Sequence, residues 1–198
     1  MNLRQWTSNN PKVNAIAKKE EFHGPPDVHV LGTKWDSRAD QLGLVPFVPA
    51  NPKRCTKRKI FSDFARVFDP YGWLSPVTIA AKLLVQELWK QRLLWDDQVP
   101  DELCVQWNVL SACLSSASNA KQPRKILEDV RLPIVVQIYV DSSLVAYAAA
   151  AYINNKLIFA KAKVAPAKQR TIPELELMAM HLGSTMGAFI QTTLKNYL

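Results

Sequence analysis

The sequence predicts a mixed α/β protein, in which a helical middle segment is followed by a three-stranded antiparallel sheet and a closing helix. Between residues 56 and 114, apolar side chains recur at the three- to four-residue spacing of helices. Beyond residue 130 they form a continuous run and then shorter apolar segments separated by turn residues, which are typical of strands. The 198 residues, 48% of them hydrophobic, suffice for one large domain or two small ones.

The first fifty residues predict a short helix and two short strands. The helix and a polar loop fall within residues 1–23. Residues 27–35 alternate apolar and polar side chains, with Gly32 as a bulge or turn. Residues 42–48 predict a second strand, and prolines stiffen the connection after it.

Three helices are predicted next. Thr56 caps the first, which ends at the turn Asp-Pro-Tyr-Gly of residues 69–72. Ser75 and Pro76 begin the second, and Asp101 caps the third. The polar segment 115–123 is the predicted linker and domain boundary. The inward-facing residues are Ile60, Phe64, Val67, Phe68, Ile79, Leu83, Leu84, Leu88, Trp89, Leu103, Trp107, Leu110 and Leu114.

The last third of the chain predicts the sheet. Residues 132–140 form an apolar run with Gln137 as its one polar member, as expected for a buried central strand. An alanine-rich strand at 146–153 is followed by a tight turn at 154–156 and a third strand at 157–164. Pro173 then opens a helix. Its predicted inward residues are Leu175, Met178, Leu182, Met186 and either Phe189 or Ile190.

Two carboxylates occupy positions that suit metal chemistry. Asp141 follows the first strand of this sheet, and Glu176 is the fourth residue of the last helix. A carboxylate beside the inward residue Leu175 is desolvated unless a cation pairs with it. Mg²⁺ binds such oxygens together with substrate phosphate, so the pair predicts half of a two-metal nuclease site. Alternatively, Asp141 begins a turn and Glu176, like Glu174, stabilises the helix N-terminus.

Positive charge predicts a polyanionic partner. The net charge is +8, and a basic run begins at residue 53, at the entry of the first middle helix. On a nucleic-acid-binding surface these side chains contact phosphates. The alternatives are a solvated helix start and a basic protein that merely stays soluble. The predicted nucleic-acid-binding residues are Lys53, Arg54, Lys57, Arg58, Lys59 and Arg66.

The remaining special residues exclude several classes of protein. Cys55, Cys104 and Cys113 show no CxxC spacing, which argues against a zinc site or a disulfide framework and fits a reducing compartment. We predict Cys104 and Cys113 to be small core residues, and the six tryptophans to be mostly core and helix-packing residues. The N-terminus lacks the apolar segment of a signal peptide, so we expect an intracellular protein with no membrane span.

Five segments together resemble the BEL/Pao retrotransposon polyprotein, nearly from end to end. They are Leu-Arg-Gln-Trp-Thr-Ser-Asn at 3–9, Val-Leu-Gly-Thr-Lys-Trp-Asp at 30–36, Thr-Lys-Arg-Lys at 56–59, Phe-Asp-Pro-Tyr-Gly-Trp-Leu-Ser-Pro at 68–76 and Lys-Ala-Lys-Val-Ala-Pro at 161–166. The resemblance implies that residues 1–50 are the C-terminal edge of a reverse transcriptase palm. Residues 51–120 would be thumb and connection helices that grip an RNA–DNA hybrid or duplex. Residues 121–198 would be a partial ribonuclease H-like domain with Asp141 and Glu176 as metal ligands.

The same resemblance leaves both active sites incomplete. No Asp-Asp pair of a polymerase hairpin is present, and the later ribonuclease H carboxylates would follow Leu198. We therefore expect little or no activity from the chain alone, and Mg²⁺ as cofactor only if downstream sequence completes the site. Two alternatives remain. One is an aspartic peptidase, because the region resembles the one classified as the Pao retrotransposon peptidase family, and Asp-Ser-Ser at 141–143 is similar to a peptidase loop without its glycine. The other is a non-catalytic interaction module.

Overall fold

A computed structural model of the chain describes residues 6–19, 27–30, 32–49, 55–127 and 133–197. The elements are α1 (Pro11–Lys19), β1 (Asp27–Val30), β2 (Thr33–Asp36), β3 (Gln41–Gly43), α2 (Lys57–Ala65), α3 (Ser75–Lys90), α4 (Asp101–Ala117), β4 (Lys121–Pro123), β5 (Val136–Ser142), β6 (Ala146–Ile153), β7 (Lys156–Val164) and α5 (Ile172–Tyr197). The helices and strands form two groups: α1 to β4, which contains the first sheet, and β5 to α5, which contains the second. The mixed α/β fold is as predicted.

The first four strands form an antiparallel sheet in the order β1-β2-β3-β4. Its last strand comes from segment 115–123, so the predicted linker is wrong: α4 covers the first three of those residues, and β4 pairs with β3, with Leu42 opposite Gln122. Beside this strand, Arg124 donates two hydrogen bonds to the Asp40 carboxylate, of 2.6 and 3.0 Å. A strand of three polar or proline residues has no apolar pattern, which explains why the sequence did not indicate it.

The predicted strand 27–35 is in fact a hairpin. β1 and β2 pair antiparallel, and Gly32 between them has a φ of +78°, a conformation that glycine adopts without strain. Of the second predicted strand, 42–48, only the first two residues are in a strand, as part of β3. Leu44 and Phe47 instead join the helical core, where the Phe47 N–H donates to the Ser118 hydroxyl at 2.9 Å.

Helices α2, α3 and α4 share one apolar core. Thr56 caps α2 as predicted, because its hydroxyl accepts a hydrogen bond from the Lys59 N–H at 3.4 Å. Asp101 is the first residue of α4 rather than its cap. Two predicted inward residues, Phe68 and Trp89, are exposed. Those that are buried include Ile60, Leu84, Leu88, Leu103, Trp107 and Leu114.

The second sheet has the order β5-β6-β7, with α5 packed on β5 and β6. The turn between β6 and β7 uses Asn154 and Asn155, both at positive φ, as a two-residue hairpin requires. β5 lies at an edge, so the prediction of a buried central strand is wrong. Tyr139 on β5 is 59% exposed. An apolar run alone does not reveal which strands pair on either side of it.

Two glycines seat α5 directly on β5. A Cβ added to Gly183 would lie 2.4 Å from Val140 Cγ1 and 3.3 Å from Ile138 Cγ2. A Cβ added to Gly187 would lie 2.8 Å from Ile138 Cδ1. Since the later glycine contacts the earlier strand residue, α5 runs antiparallel to β5. The close approach of helix and strand sets the height of α5 above the sheet.

We expect Gly183→Ala to lower the free energy of unfolding by about 1–2 kcal/mol. Overpacking a well-packed contact costs about 1–3 kcal/mol, which outweighs the roughly 1 kcal/mol that alanine gains over glycine in a helix. Urea unfolding of the variant measures the change. In a Val140→Ala background the closest contact disappears and only the 3.3 Å approach to Ile138 Cγ2 remains, so the same substitution is expected to be much less destabilising. Equal destabilisation in both backgrounds would contradict this packing.

The two groups of elements are joined at the segment before α3. The Tyr71 carbonyl accepts a hydrogen bond from the Ala160 N–H of β7 at 2.8 Å. Gly72 has a φ of +74°, and a Cβ there would lie 1.9 Å from the Ala160 carbonyl oxygen. Lys82 of α3 donates to the Ala162 carbonyl at 3.1 Å. These contacts hold β7 against α3 and the turn that precedes it.

Candidate metal and nucleic-acid site

Asp141 is exposed near the end of β5, opposite Ala148 of β6. Tyr147 and Ala149 on β6 pack against α5. Because side chains alternate along a strand, Asp141 faces the opposite side of the sheet. A cavity of about 440 Å³ lies there, between the sheet and the N-terminus of α3, and includes Trp73 in its lining. Asp141 Oδ1 also accepts a hydrogen bond from the Ser142 N–H at 2.8 Å.

Glu176 is exposed in the N-terminal part of α5, so the expectation that it is desolvated is wrong. Its neighbour Leu175 is buried instead. Seven residues separate Glu176 from Gly183, which is close to two full turns, so both lie on the side of α5 that faces β5. Glu176 is thus about 10 Å further along the helix than the Gly183–Val140 contact. Because a strand rises about 3.3 Å per residue, Glu176 lies level with the position about three residues after Val140, just past the end of β5.

The two carboxylates therefore lie at the same end of the sheet, with Glu176 on the side that α5 covers and Asp141 on the other face. An independent contact supports this placement: Leu175 packs with Tyr147, and Tyr147 is paired with Ser142. Asp141 is next in sequence to Ser142, and Glu176 is next to Leu175, so both carboxylates are close to the Leu175–Tyr147 contact. Within the described part of the chain, neither carboxylate forms an ion pair. Their charges are available to a cation.

The residues present fit a hard divalent cation. Mg²⁺ is bound in proteins through one or two carboxylates plus water and substrate phosphate. The Ser142 hydroxyl next to Asp141 is buried without a hydrogen-bond partner among the described residues, and a bound water or ion commonly satisfies such a group. The described residues hold no cluster of three or more metal-ligating side chains. The pair can bind a cation only as part of a larger ligand set.

The start of α5 is held by a neighbouring glutamate. The Thr171 N–H donates to Glu174 Oε2 at 2.8 Å, and the Glu174 N–H donates to Thr171 Oγ1 at 3.4 Å. This reciprocal pair is a capping box. The Thr171 N–H and Arg170 lower the pKa of Glu174, with the Thr171 backbone bond as the larger cause. Glu174 therefore stabilises the helix start, which leaves Glu176 free of that role.

The basic run is placed differently from our prediction. Lys53 and Arg54 lie outside the described residues. Arg58 forms a bidentate ion pair with Asp96, at 2.8 and 2.9 Å, in which both side chains are more than half exposed. Such an exposed pair is worth at most about 1 kcal/mol and can exchange its carboxylate for a phosphate. Lys59 is half-buried.

Lys57 and Arg66 serve the fold. Lys57 is buried, with its Nζ 3.7 Å from the Trp89 ring centroid and hydrogen-bonded to the Leu93 carbonyl at 3.0 Å. Arg66 pairs with Asp63, whose side chain is only 4% exposed. Removing Arg66 would leave a buried carboxylate unpaired, which is costly. Lys57 is buried, whereas the Arg66 side chain is 53% exposed beside Asp63, and the prediction that these two residues bind nucleic acid stays a prediction.

The cysteines and tryptophans follow the prediction of core positions only in part. Cys113 is exposed rather than in the core, whereas Cys55 is buried. Burial, and then Cys104, raises the pKa of the Cys55 thiol to about 12, so this thiol is inert. Trp107 is buried, but Trp89 is 53% exposed. No helix in the described residues is long and apolar enough to span a membrane.

The three-stranded antiparallel sheet and the helix that packs on its first two strands have the arrangement of a ribonuclease H-like fold. A family model described as the Pao retrotransposon-like RNaseH-like domain matches residues 56–198. The chain belongs to this family. No match is found among curated proteins. None of these findings tests the peptidase alternative, which stays a prediction.

Two solved structures are similar to this chain, and the one with a TM-score above 0.5 shows a similar fold. One is a foamy viral protease-reverse transcriptase in complex with RNA/DNA hybrid, with a TM-score of 0.57, 17% identity, and coverage of 93% of this chain and 27% of that chain. Another is a foamy viral protease-reverse transcriptase in complex with dsDNA, with a TM-score of 0.48, 14% identity, and coverage of 87% of this chain and 36% of that chain. The present chain thus spans only a minor part of these proteins, and the likeness concerns the fold.

Proposed function

We propose that the chain is the part of a retrotransposon-type pol polyprotein that binds an RNA–DNA hybrid or a duplex and carries two ligands of a ribonuclease H metal site. Residues 1–50 act as the C-terminal edge of the palm and residues 51–120 as thumb and connection. Residues 121–198 are the partial ribonuclease H-like domain, with β4 paired to the first sheet at the junction. The observation that carries the proposal is the position of Asp141 and Glu176 at one end of the second sheet.

Asp141 and Glu176 hold Mg²⁺ together with further ligands that the described residues do not supply. A bound Mg²⁺ there stabilises negative charge on a phosphodiester. The exposure of both carboxylates leaves room for the substrate strand. The family match and the solved complex of a foamy viral enzyme with RNA/DNA hybrid support nucleic acid as the substrate class. We expect the chain alone to have little or no nuclease activity.

Binding of an RNA–DNA hybrid tests the nucleic-acid part of this proposal. We expect the logarithm of the binding constant to fall linearly with the logarithm of salt concentration, because phosphate contacts release counterions. The variant Arg58→Gln/Lys59→Gln is expected to reduce that slope by up to about 2, since each lost phosphate contact removes about 1. Fluorescence anisotropy with a labelled hybrid gives both quantities.

The control variant Lys12→Gln/Lys195→Gln removes the same charge from exposed helix positions. We expect it to change the slope much less. No binding by the wild-type chain at low salt would contradict the proposed function. Equal salt slopes for the two double variants would show that Arg58 and Lys59 do not contact the nucleic acid.

A further inference from the structure

A second cleft, lined by polar and charged residues, lies where helices α2 and α3 meet β7. Its volume is about 390 Å³, and it is bounded by residues from the end of α2, the Asp-Pro-Tyr-Gly turn, α3 and β7. Three lysines line it, against one aspartate. These charged residues are Lys82, Lys161, Lys163 and Asp69.

The aspartate does not neutralise the lysines. Asp69 accepts hydrogen bonds from the Trp73 N–H at 2.9 Å and from the Leu74 N–H at 2.8 Å, which fixes it on the turn before α3. Burial raises its pKa, and a single carboxylate stands against three amines. Across the described residues none of the three lysines forms an ion pair. The cleft therefore carries excess positive charge.

Lys82 is held inside the cleft. Its Nζ donates to the Ala162 carbonyl, and burial lowers the pKa of the amine. Asp69 opposes that lowering, whereas the positive charge of Lys161 adds to it. Lys82 and Lys161 thus line the same cleft with charges of the same sign. The Thr78 and Ser75 side chains, also in the lining, add hydroxyl groups that suit an anion's oxygens.

We propose that this cleft binds a backbone phosphate of the nucleic acid. The proposed function supports this choice, because a nucleic acid is the polyanion that the chain is proposed to bind. Lys161 and Lys163 lie two strand spacings, about 10 Å, from β5 and level with Asp141 along the strands, on the opposite face of the sheet.

Lysines on an edge strand have another known role, because their charge discourages pairing with other chains. β7 is an edge strand of its sheet, so Lys161 and Lys163 suit that role as well. Lys82 does not, because it comes from α3 and points into the same cleft. Three lysines from two elements in the lining of one cleft favour an anion.

The inference rests on the proposed function, and a paired measurement separates the two. We expect Lys161→Gln/Lys163→Gln to weaken hybrid binding about tenfold at low salt and to reduce the salt slope by about 2. Lys12→Gln/Lys195→Gln is the matched control. If the wild-type chain does not bind hybrid, the proposed function and this inference both fail. If it binds, and the cleft variant behaves as the control, only the cleft assignment is overturned.

Lysine acetylation provides a second readout on the unmodified sequence. With hybrid bound, we expect mass spectrometry to show slower acetylation of Lys161 and Lys163, and unchanged acetylation of Lys12 and Lys195. Equal protection of all four lysines would contradict a specific phosphate contact. Protection by inorganic phosphate alone, at the same phosphate concentration, would identify a small-anion site and overturn the assignment to nucleic acid.

Discussion

Replacing Gly72 by alanine is expected to lower the free energy of unfolding by about 3 kcal/mol or more. Two costs combine. An L-residue at a φ of +74° costs roughly 1–2 kcal/mol, and overpacking adds roughly 1–3 kcal/mol. The added Cβ would lie 1.9 Å from a backbone oxygen of Ala160, and backbone cannot swing aside as a side chain can. The Tyr71–Ala160 hydrogen bond next to it is expected to break.

Urea unfolding followed by both fluorescence and circular dichroism measures this effect. Gly43→Ala is the control, because its added Cβ has no neighbour nearer than 3.7 Å and its φ is not positive. We expect the control to stay within about 0.5 kcal/mol of the wild-type chain. Equal stability of the two variants would show that β7 does not lie against the turn at residues 69–72.

The second large effect concerns divalent cations. In the presence of hybrid, Asp141→Asn and Glu176→Gln are each expected to weaken Mg²⁺ binding by more than about tenfold. Each substitution removes one of the two carboxylates that this chain supplies, and carboxylate charge dominates affinity for hard cations. Calorimetric titration of Mg²⁺ into the chain–hybrid complex measures the change.

Glu102→Gln is the matched control for the glutamate. Glu102 is also exposed and also lies in the N-terminal part of a helix, but on α4. We expect the titration of this variant to follow that of the wild-type chain. A loss of affinity as large as that of Glu176→Gln would mean that the cation is held by general surface charge.

The sequence predicted the second sheet well, because its signals are local. The extent of β6 follows from its run of apolar residues, and the positive-φ turn follows from Asn154 and Asn155. The edge position of β5 could not be predicted in the same way. A continuous apolar run reports burial on two faces, whereas strand order depends on which other segments pair with it.

Features that depend on distant partners could not be predicted, for the same physical reason. The charge of Lys57 is visible in the sequence, but its burial depends on Trp89, and its hydrogen bond depends on Leu93. β4 pairs with a strand that lies far earlier in the chain. The candidate carboxylates could be predicted because a strand end and a helix start are both local features. Their common location required the packing of Gly183 on Val140.

Paramagnetic broadening by Mn²⁺ tests the shared cation site most directly. In amide spectra of the chain bound to hybrid, we expect low concentrations of Mn²⁺ to broaden residues 140–144 and 174–178 together. Asp141→Asn is expected to abolish both effects at once, since one ion causes both. Broadening of only one of these segments, or broadening of both that persists in Asp141→Asn, would contradict a site shared by Asp141 and Glu176.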